Sequence, residues 1–483
     1  MTTLLSASPA RESAADHQVH PKRWYALAVM LLSILLISLN TYMVQVALPL
    51  IQDSLHAAFS EAQLIVTGFS LGLAIALIVS GKLGDLYGRK RMMAIGVSGF
   101  TIMAAIGGIA TDPAVMIPVR VLQGLAAALI QPQVLSTLQV CFPPKEKALA
   151  FGIYGAVIGI GFAFGLLLGG MIVEWNVFGL GWRAIFFIHV PFGLLILSLL
   201  PIVPESRGAR EQRMDWAGAF MLGAGLFLLV YPLSEGQKQG WPLWTLGCML
   251  AAALILFKFT VVQIGKRNRG TYPLIDLNIF KHRTFRVGIL TAAMIYLGMF
   301  SFFFILTYYL QFGLRYDVQA TSLVFLPLGA GFFIASLFSS RLVGRWGTKV
   351  LRLGAIAMGS GSLLLIGSLR VDPVHLLHTR NMGILTIYGF GLGLAATPLV
   401  NVVLGAVPAR DAGTGSGLFN TWMYLANSIG VALIGLLFSA VLGNSSGGAE
   451  LPDYVRAFTS ALAVTGGLGF LAYICLCFLP DRP

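Results

Sequence analysis

Long, uninterrupted apolar runs are the feature that most limits what this chain can fold into. A helix that crosses a bilayer needs about 20 predominantly apolar residues, and the sequence contains fourteen runs near that length. They lie at about 24–50, 61–83, 92–110, 113–138, 148–173, 183–203, 215–234, 241–263, 286–311, 319–340, 350–368, 382–407, 412–441 and 456–480. A transmembrane β-barrel is excluded because its strands alternate apolar and polar residues. The runs therefore predict an all-α polytopic membrane protein with fourteen spans.

The composition excludes a set of soluble domains. Charged residues make up 11% of the 483 residues, and hydrophobic residues make up 57%. A typical soluble domain has roughly 25% charged residues, so these few charges cannot cover a soluble surface of this size. The cysteines lie in or beside apolar runs without CxxC spacing, which is typical of small core hydrophobes rather than a disulfide framework or a metal site. They are Cys141, Cys248, Cys475 and Cys477.

The formal net charge of +13 is explained by where the basic residues fall. When connections are assigned to alternate sides of the membrane, Lys and Arg favour the side of the N-terminus by roughly four to one. An excess of positive charge marks cytoplasmic connections. We therefore expect a plasma-membrane protein with both termini in the cytoplasm, and nucleic-acid binding is not needed to explain the charge.

A short internal repeat divides the spans into two groups of six. A segment at 81–91, G-K-L-G-D-L-Y-G-R-K-R, follows the second run, and a similar segment at 340–349, S-R-L-V-G-R-W-G-T-K, follows the tenth. Parallel repeats of this kind are common in secondary transporters. The repeat predicts two six-helix bundles plus two linking transmembrane helices. The expected divisions are a cytoplasmic tail at 1–23, an N-terminal bundle at 24–203, the two extra spans with a cytoplasmic connection at 204–285, and a C-terminal bundle at 286–483.

The longest predicted cytoplasmic connection, at about 264–285, mixes apolar and basic residues. Leu274, Ile275 and Ile279 stand near Lys281 and Arg283. This pattern is typical of a segment that lies on the membrane surface, and a plain loop is the alternative.

The turn at 81–91 is the most specific motif, and we expect it to be a gating loop. Its glycines allow a tight connection between two helices, and Asp85 stands one helical turn before Arg89, so that an ion pair can form. The Asp85 carboxylate could also sit at a neighbouring helix N-terminus. A basic turn set by membrane topology alone is the alternative. The candidate residues are Gly81, Asp85, Gly88, Arg89 and Lys90.

This turn resembles the loop signature of the major facilitator superfamily. Four further segments resemble signatures of that superfamily or of its fourteen-span drug:proton antiporters: R-V-L-Q-G at 120–124, the glycine-rich stretch at 161–170, V-A-L-P at 46–49, and W-R-A-I-F-F-I-H-V-P-F-G at 182–193. The resemblance implies two six-helix bundles, alternating access, and export of small amphipathic molecules coupled to protons.

Three positions depart from that family's pattern. Asn40 stands where the family usually has aspartate, Leu166 where it has proline, and His189 where it has asparagine. All 19 acidic residues fall in connections or at run ends, whereas proton relays in membranes generally use buried Asp, Glu or His. These departures bear on proton coupling and leave an importer or facilitator as the alternative.

Polar side chains within the spans predict a substrate and coupling pathway. Helical rise places Asn40, Arg120 and His189 at similar depth, and Gln131 is eleven residues after Arg120, on the same helix face. We expect Arg120 to face the pathway with its charge partly uncompensated, which would attract anionic substrates. Interhelical hydrogen bonding is the alternative. The candidates are Asn40, Gln45, Arg120, Gln123, Gln131, His189, Asn420, Tyr424 and Asn427, the last three forming a polar stripe with Ser416.

Glycines spaced four apart predict close helix packing in the fifth span. They are Gly161, Gly165 and Gly169. The sequence lacks G-x-x-x-x-G-K-[ST] and H-E-x-x-H motifs, so we expect no enzyme activity, cofactor or metal site.

The resulting prediction is a monomeric secondary transporter in a lipid bilayer, with a small-molecule substrate and protons as the coupling ion. An importer or facilitator of the same fold is one alternative. A membrane sensor without transport is the other.

Overall fold

The computed structural model describes residues 21–207, 214–236, 239–269, 271, 273–275, 277–405, 412–443 and 449–480. Within these residues sixteen α-helices follow one another. The first eight are α1 (Arg23–Ser54), α2 (Phe59–Tyr87), α3 (Arg89–Ile109), α4 (Pro113–Ala128), α5 (Gln131–Cys141), α6 (Pro144–Glu174), α7 (Arg183–Phe187) and α8 (His189–Leu199). The others are α9 (Trp216–Glu235), α10 (Leu243–Asn268), α11 (Arg283–Tyr308), α12 (Val318–Trp346), α13 (Lys349–Val371), α14 (Thr379–Gly405), α15 (Ala412–Leu442) and α16 (Leu451–Cys477).

The prediction of an all-α protein with fourteen spans is confirmed, because fourteen helical segments are long and apolar enough to cross a membrane. Two spans are interrupted helices: α4 continues into α5, and α7 into α8. Proline explains both interruptions, since Pro132 and Pro191 lack the N–H that a continuous helix needs. The span of α11 ends in a π-helical turn, Tyr309–Gly313.

Carboxylates at the ends of the apolar runs cap helices. Asp112 accepts a hydrogen bond from the Ala114 N–H, and Asp317 accepts one from the Ala320 N–H. A side chain in this position satisfies one of the first N–H groups of a helix, which have no partner within the helix. Several acidic residues therefore mark where spans begin.

The helices pack as two groups with a linking hairpin. α1 to α8 pack mainly against one another, as do α11 to α16, and the groups meet where α2 contacts α15 and α6 contacts α12. The linking helices α9 and α10 form a hairpin in which α9 packs against α2 and α15. The hairpin thus lies beside a junction of the two groups.

Glycines on one face of α6 bring it close to α1. A Cβ atom at Gly161 would overlap the side chain of Ser38, and a Cβ at Gly169 would lie 2.9 Å from the Met43 Cα. Gly165 lies between them on the same face and contacts Tyr42 in the same way. Larger side chains would separate the two helices, so these three glycines set their spacing.

Aromatic side chains close one end of the interface between the two groups. The Phe59 ring lies 5.0 Å from the Tyr308 ring and 6.3 Å from the Phe438 ring. The Tyr308 hydroxyl also donates a hydrogen bond to Gln52. We call this set, Gln52, Phe59, Tyr308 and Phe438, the aromatic seal. It joins α1 and α2 to α11 and α15.

The two groups separate toward the opposite end. A Cβ at Gly159 would lie 3.6 Å from the Phe333 ring of α12, but a Cβ at Gly152 or Gly155 would meet nothing within 4 Å. These three glycines share a face of α6 at helical spacing. Gly344, which shares the face of Phe333 on α12, is also open. The interface between α6 and α12 therefore widens away from the aromatic seal.

The connection after α10 is held by the protein rather than by the membrane surface. Leu274, Ile275 and Ile279 are buried, and Gln263 of α10 accepts hydrogen bonds from the Leu274 and Ile275 N–H groups. The prediction of a surface-lying segment is therefore wrong for these residues. Their apolar side chains enter the protein core because the connection folds back along α10.

Asp215, at the start of α9, anchors the linking hairpin. Its carboxylate accepts hydrogen bonds from the Lys266 ammonium at 2.5 Å, the Gln263 amide at 2.9 Å and the Gly218 N–H at 2.8 Å. Burial alone would raise the pKa of Asp215, but these three donors outweigh it and hold the pKa below its ordinary value. The carboxylate therefore stays ionised at neutral pH and ties α9 to α10.

Gly165→Leu should destabilise the protein because the new side chain would meet α1. Overpacking a core costs about 1–3 kcal/mol, so the melting temperature of the purified protein in detergent should fall. Gly247→Leu is the matched control, since a Cβ at Gly247 meets nothing within 4 Å and its helix would gain propensity. Equal melting temperatures for the two variants would contradict the close packing of α1 and α6.

Candidate functional site

Arg120 on α4 is the central charged group of the N-terminal bundle. Only 1% of its surface is exposed. Its Nε–H donates to the Ile65 carbonyl at 3.0 Å, and its Nη1–H groups donate to Asn40 and Gln123 side-chain oxygens, each at 2.6 Å. The guanidinium carbon lies 4.4 Å from the centre of the Phe69 ring. Neutral dipoles and one aromatic face therefore surround the charge.

No described carboxylate forms an ion pair with Arg120. The prediction that its charge lacks an acidic partner thus agrees with these contacts. The prediction that it faces the pathway does not, because the side chain is enclosed by α1, α2 and α4. Interhelical hydrogen bonding, the alternative for this residue, describes its surroundings.

Several polar atoms around Arg120 have no hydrogen-bond partner among the described residues. They include Asn40 Nδ2 and Gln123 Nε2, and elsewhere on α1 both amide ends of Gln45 are also buried without a described partner. A buried polar group without a partner costs about 1–3 kcal/mol, so such groups are rare without a reason. The interior of the N-terminal bundle thus contains hydrogen-bonding groups that have no partner among the described residues.

His189 lies in the same interior but does not bond to Arg120. Its Nδ1 lies 2.6 Å from the Ile185 carbonyl oxygen, and its Nε2 has no described partner. The ring centre is 6.0 Å from Phe100, whose ring is 6.5 Å from Phe69, which in turn contacts Arg120. Of the three residues predicted to share a layer, Asn40 and Arg120 are therefore in direct contact. His189 is connected to Arg120 only through the rings of Phe100 and Phe69.

Gln131 has partners different from those of Arg120. The helix is interrupted at 129–130, next to Pro132, and the Gln131 side-chain oxygen accepts a hydrogen bond from the Tyr424 hydroxyl of α15 at 3.1 Å. Gln131 and Arg120 thus share no hydrogen-bond partner among the described residues, and their common helix face stays a prediction. Gln131 belongs to the junction between the two bundles.

Tyrosine side chains from both bundles gather around that junction. The Tyr42 ring stacks on the Phe300 ring at 5.9 Å. Tyr296 and Tyr424 lie close to the Tyr42 hydroxyl, and the Tyr154 side chain hydrogen-bonds to Gln131. We call this set the central aromatic layer, consisting of Tyr42, Gln131, Tyr154, Tyr296, Phe300 and Tyr424. Its members present rings, hydroxyls and one amide, and none of them carries a charge at neutral pH.

The residues of the predicted polar stripe of α15 differ in their surroundings. Tyr424 belongs to the central aromatic layer, whereas Asn427 is buried with its Oδ1 unpartnered among the described residues. Asn420 is half-buried, one turn before Tyr424. Tyr424 is the stripe residue that hydrogen-bonds to Gln131, another residue of the predicted pathway.

Arg89 ties the 81–91 turn to the rest of its bundle. Its guanidinium lies 2.8 Å from the Asp85 carboxylate, which is the ion pair that the spacing predicts. A further N–H donates to the Ser136 carbonyl at 3.3 Å and to the Ser206 hydroxyl at 3.4 Å. The turn is thus fixed to the end of α5 and to the segment after α8.

The carboxylate at the N-terminus of α3 belongs to Glu205 and not to Asp85. Glu205 accepts a hydrogen bond from the Lys90 N–H at 3.1 Å. Gly88 has a φ of 107°, which favours glycine, and a Cβ there would lie 2.8 Å from the Glu205 carboxylate. Glu205 therefore takes the place that the sequence suggested for Asp85.

Two other glycines of the turn differ in how closely they pack. A Cβ at Gly84 would overlap the Gln133 side chain of α5, whereas one at Gly81 would lie 3.9 Å from Pro132, an ordinary contact. Only the first of these two positions is restricted by close approach.

The second copy of the turn shares the positive-φ glycine but not the ion pair, because Gly344 stands at the position of Asp85. Gly347 has a positive φ of 61°, as Gly88 does in the first copy. Thr348, at the position of Arg89, donates to the Pro480 carbonyl at 3.1 Å, so this turn contacts the segment after α16 as the first turn contacts the segment after α8. The two bundles are therefore related in structure as well as in sequence.

Residues that the sequence did not single out complete the site. Most members of the aromatic seal and of the central aromatic layer are ordinary aromatic residues in or beside apolar runs. A weak signal was available, since Tyr carries a hydroxyl that usually needs a partner when buried. Which tyrosines meet across the bundles depends on the packing of distant helices.

Comparisons with known proteins identify relatives over most of the chain. A family model described as the Major Facilitator Superfamily matches residues 30–431. A "Probable actinorhodin transporter" of Streptomyces coelicolor is 31% identical, covering 94% of this chain and 79% of that relative. The "Puromycin resistance protein pur8" of Streptomyces alboniger is 31% identical, with 99% and 95% covered. A "Multidrug resistance protein Stp" of Mycobacterium tuberculosis is 33% identical, with 85% and 75% covered.

Solved structures of transporters share the fold. An inward-facing bacterial homologue of the lysosomal transporter Spinster matches with a TM-score of 0.66 at 17% identity, covering 96% of this chain and 99% of that one. A partially occluded, inward-open xylose transporter from E. coli matches with a TM-score of 0.64 at 14% identity, covering 95% and 99%. These low identities support the fold alone. The family match over 30–431 and the 31–33% identical relatives go further: the chain belongs to the Major Facilitator Superfamily.

Proposed function

We propose that this multi-pass membrane protein exports small amphipathic molecules across the cell membrane by alternating access. The observation that carries the proposal is an interface between two bundles that is closed by the aromatic seal at one end and widens toward the other. The central aromatic layer lies at the junction of the bundles. Relatives named for antibiotic transport, antibiotic resistance and multidrug resistance support the direction of transport.

The central aromatic layer suits neutral or weakly charged substrates with aromatic surface. Tyrosine rings offer broad apolar contact, while hydroxyls and the Gln131 amide give a few hydrogen bonds. Arg120 is enclosed, and three of its N–H groups donate to neighbouring helices or to its own helix, so the proposal does not assign it to binding of anionic substrates. Its role in the proposal is to hold three helices of the N-terminal bundle together.

Orientation follows from the distribution of Lys and Arg. Both termini are placed in the cytoplasm, which puts the aromatic seal on the external side and the widened interface on the cytoplasmic side. Substrate would enter from the cytoplasm in the conformation described here. The chain is proposed to act as a monomer, because the two bundles together provide both halves of the passage.

Proton coupling is proposed to involve His189. It is a titratable group buried in the N-terminal bundle, and its Nε2 has no described partner. One elementary charge moving down 100 mV supplies about 2.3 kcal/mol, which supports more than a tenfold substrate gradient, since about 1.4 kcal/mol corresponds to tenfold. Asn40 in place of the family aspartate favours the second candidate function, a facilitator without proton coupling.

Flux in proteoliposomes distinguishes these two functions. With a pH gradient imposed, wild-type protein should concentrate a neutral amphipathic dye on the acidic side, and a protonophore should abolish the accumulation. Equilibration of the dye without accumulation, unaffected by the gradient, would identify a facilitator. An absence of dye movement for every amphipathic probe tried would contradict transport of this substrate class.

His189→Asn tests the coupling residue within the same assay. The variant should still equilibrate the dye but should lose gradient-driven accumulation, since asparagine does not titrate. His282→Asn is the matched control because His282 is an exposed histidine just before α11. Accumulation by His189→Asn equal to that of wild type would exclude His189 as the coupling group.

Asp85→Asn should slow transport several-fold while leaving the protein folded in the membrane. The substitution weakens the contact that positions Arg89 against α5 and the segment after α8, and exposed ion pairs contribute only about 0–1 kcal/mol to stability. Asp453→Asn is the matched control, because Asp453 pairs with Arg456 at an exposed site near the start of α16. If both variants transport at the wild-type rate, the turn has no gating role.

A further inference from the structure

The connection between α13 and α14 gathers one carboxylate and two imidazoles that the transport proposal does not use. The His375 Nδ1 lies 3.0 Å from one Asp372 carboxylate oxygen, and the His378 Nδ1 lies 3.4 Å from the other. All three ligand-type atoms lie within 4.8 Å of one another. The three residues follow the spacing D-x-x-H-x-x-H within the short connection between the two helices.

We propose that Asp372, His375 and His378 form a binding site for a divalent transition-metal ion such as Zn²⁺. Imidazole nitrogen and carboxylate oxygen are established zinc ligands, with bonds of about 2.0–2.2 Å. A tetrahedral ion with such bonds holds its ligand atoms about 3.3–3.6 Å apart. One ligand atom from each of the three residues already lies within 4.8 Å of the other two, so a small approach brings them to binding distance. Two imidazoles favour transition metals over Mg²⁺ and Ca²⁺, which take oxygen ligands.

Backbone contacts already hold the carboxylate in place. Asp372 accepts hydrogen bonds from the Val374 and His375 N–H groups, both at 3.2 Å. Its own N–H donates to the Ser368 carbonyl at 2.9 Å. A ligand fixed in this way loses little freedom when an ion binds, which favours affinity.

Two tyrosines fix the rest of the connection. The Tyr309 hydroxyl donates to the Pro373 carbonyl at 2.6 Å, and the Tyr316 hydroxyl donates to the Val374 carbonyl at 2.9 Å. The two imidazole rings are parallel, with centres 4.6 Å apart. The ligands are thus presented by a braced segment next to the turn that joins α11 to α12.

The site is open to solvent. The His375 and His378 side chains are 60% and 62% exposed, so an ion can enter from the solution on the side of the aromatic seal. Three protein ligands leave a tetrahedral ion with one position for water. The site is therefore expected to take up and release its ion, and this proposal does not depend on what the protein transports.

The simpler alternative is that the two histidines only hydrogen-bond to Asp372 and help to close the connection. It predicts no specific affinity for metal. A titration of the full-length protein with metal ions separates the two accounts.

The experiment uses detergent-purified protein without a polyhistidine tag, stripped of metal with a chelator. Co²⁺ should give one saturable visible absorption signal per chain, and Zn²⁺ should displace it. Zn²⁺ should also raise the melting temperature, because a ligand that binds only the folded state stabilises it. Absence of a stoichiometric signal in the wild type would overturn the proposal.

Single substitutions assign the site to its ligands. His375→Ala and His378→Ala should each weaken Co²⁺ binding by more than the roughly 10–100-fold that follows loss of an outer-shell partner. Asp372→Asn keeps an oxygen acceptor for the two N–H groups and should weaken binding through loss of charge. His282→Ala is the control and should bind as the wild type does.

Using two histidine variants keeps the test valid if one of them fails to fold. A single variant whose melting temperature without metal equals that of the wild type is enough to test the site. Wild-type affinity in such a variant would place the bound metal elsewhere and overturn the proposal. Equal weakening in the His282→Ala control would do the same.

Discussion

Arg120 brings a positive charge into the interior of the N-terminal bundle, and the polar side chains of that bundle are arranged around it. Burying an arginine at membrane depth costs about 2.5–3.5 kcal/mol on insertion scales. Asn40, Gln123, the Ile65 carbonyl and the Phe69 ring offset this cost with neutral dipoles and a cation–π contact. Because these groups come from three spans, one side chain ties α1, α2 and α4 together and makes the N-terminal bundle a unit.

A bundle that behaves as a unit can move against its partner. The bundles touch through the aromatic seal at one end, and the glycine-lined interface between α6 and α12 widens toward the other. In each bundle a turn with a positive-φ glycine is hydrogen-bonded to the segment after the last helix of that bundle, through Arg89 in the first and Thr348 in the second. Rigid halves joined by a few contacts are what an alternating-access mechanism requires.

Sequence reasoning was strongest where a single physical constraint dominates. Fourteen spans follow from the thickness of the bilayer, and the Asp85–Arg89 ion pair follows from helical spacing. It was weaker where distant segments decide the outcome. Gln131 pairs with Tyr424 because Pro132 interrupts the helix and because the Tyr424 side chain reaches it from α15, and neither feature is visible from spacing along α4.

The same limit explains the other differences. The apolar residues of the 264–285 connection are typical of a segment on the membrane surface. The Gln263 side chain instead accepts hydrogen bonds from two backbone N–H groups of this connection, whose apolar side chains are buried in the core. Glu205 reaches the N-terminus of α3 from a segment more than a hundred residues later. The pair of histidines near Asp372 matches none of the metal motifs sought in the sequence, and its geometry emerges only from the folded connection.

The central claim is that the aromatic seal must open for transport, and a reversible cross-link tests it most directly. The ring centres of Phe59 on α2 and Phe438 on α15 are 6.3 Å apart. In a protein without its native cysteines, Phe59→Cys and Phe438→Cys place one thiol on each of these helices. Joining them with a short cleavable thiol reagent should reduce substrate flux to background, and cleavage should restore it, while each single-cysteine protein stays active. Undiminished flux through fully cross-linked protein would contradict the account.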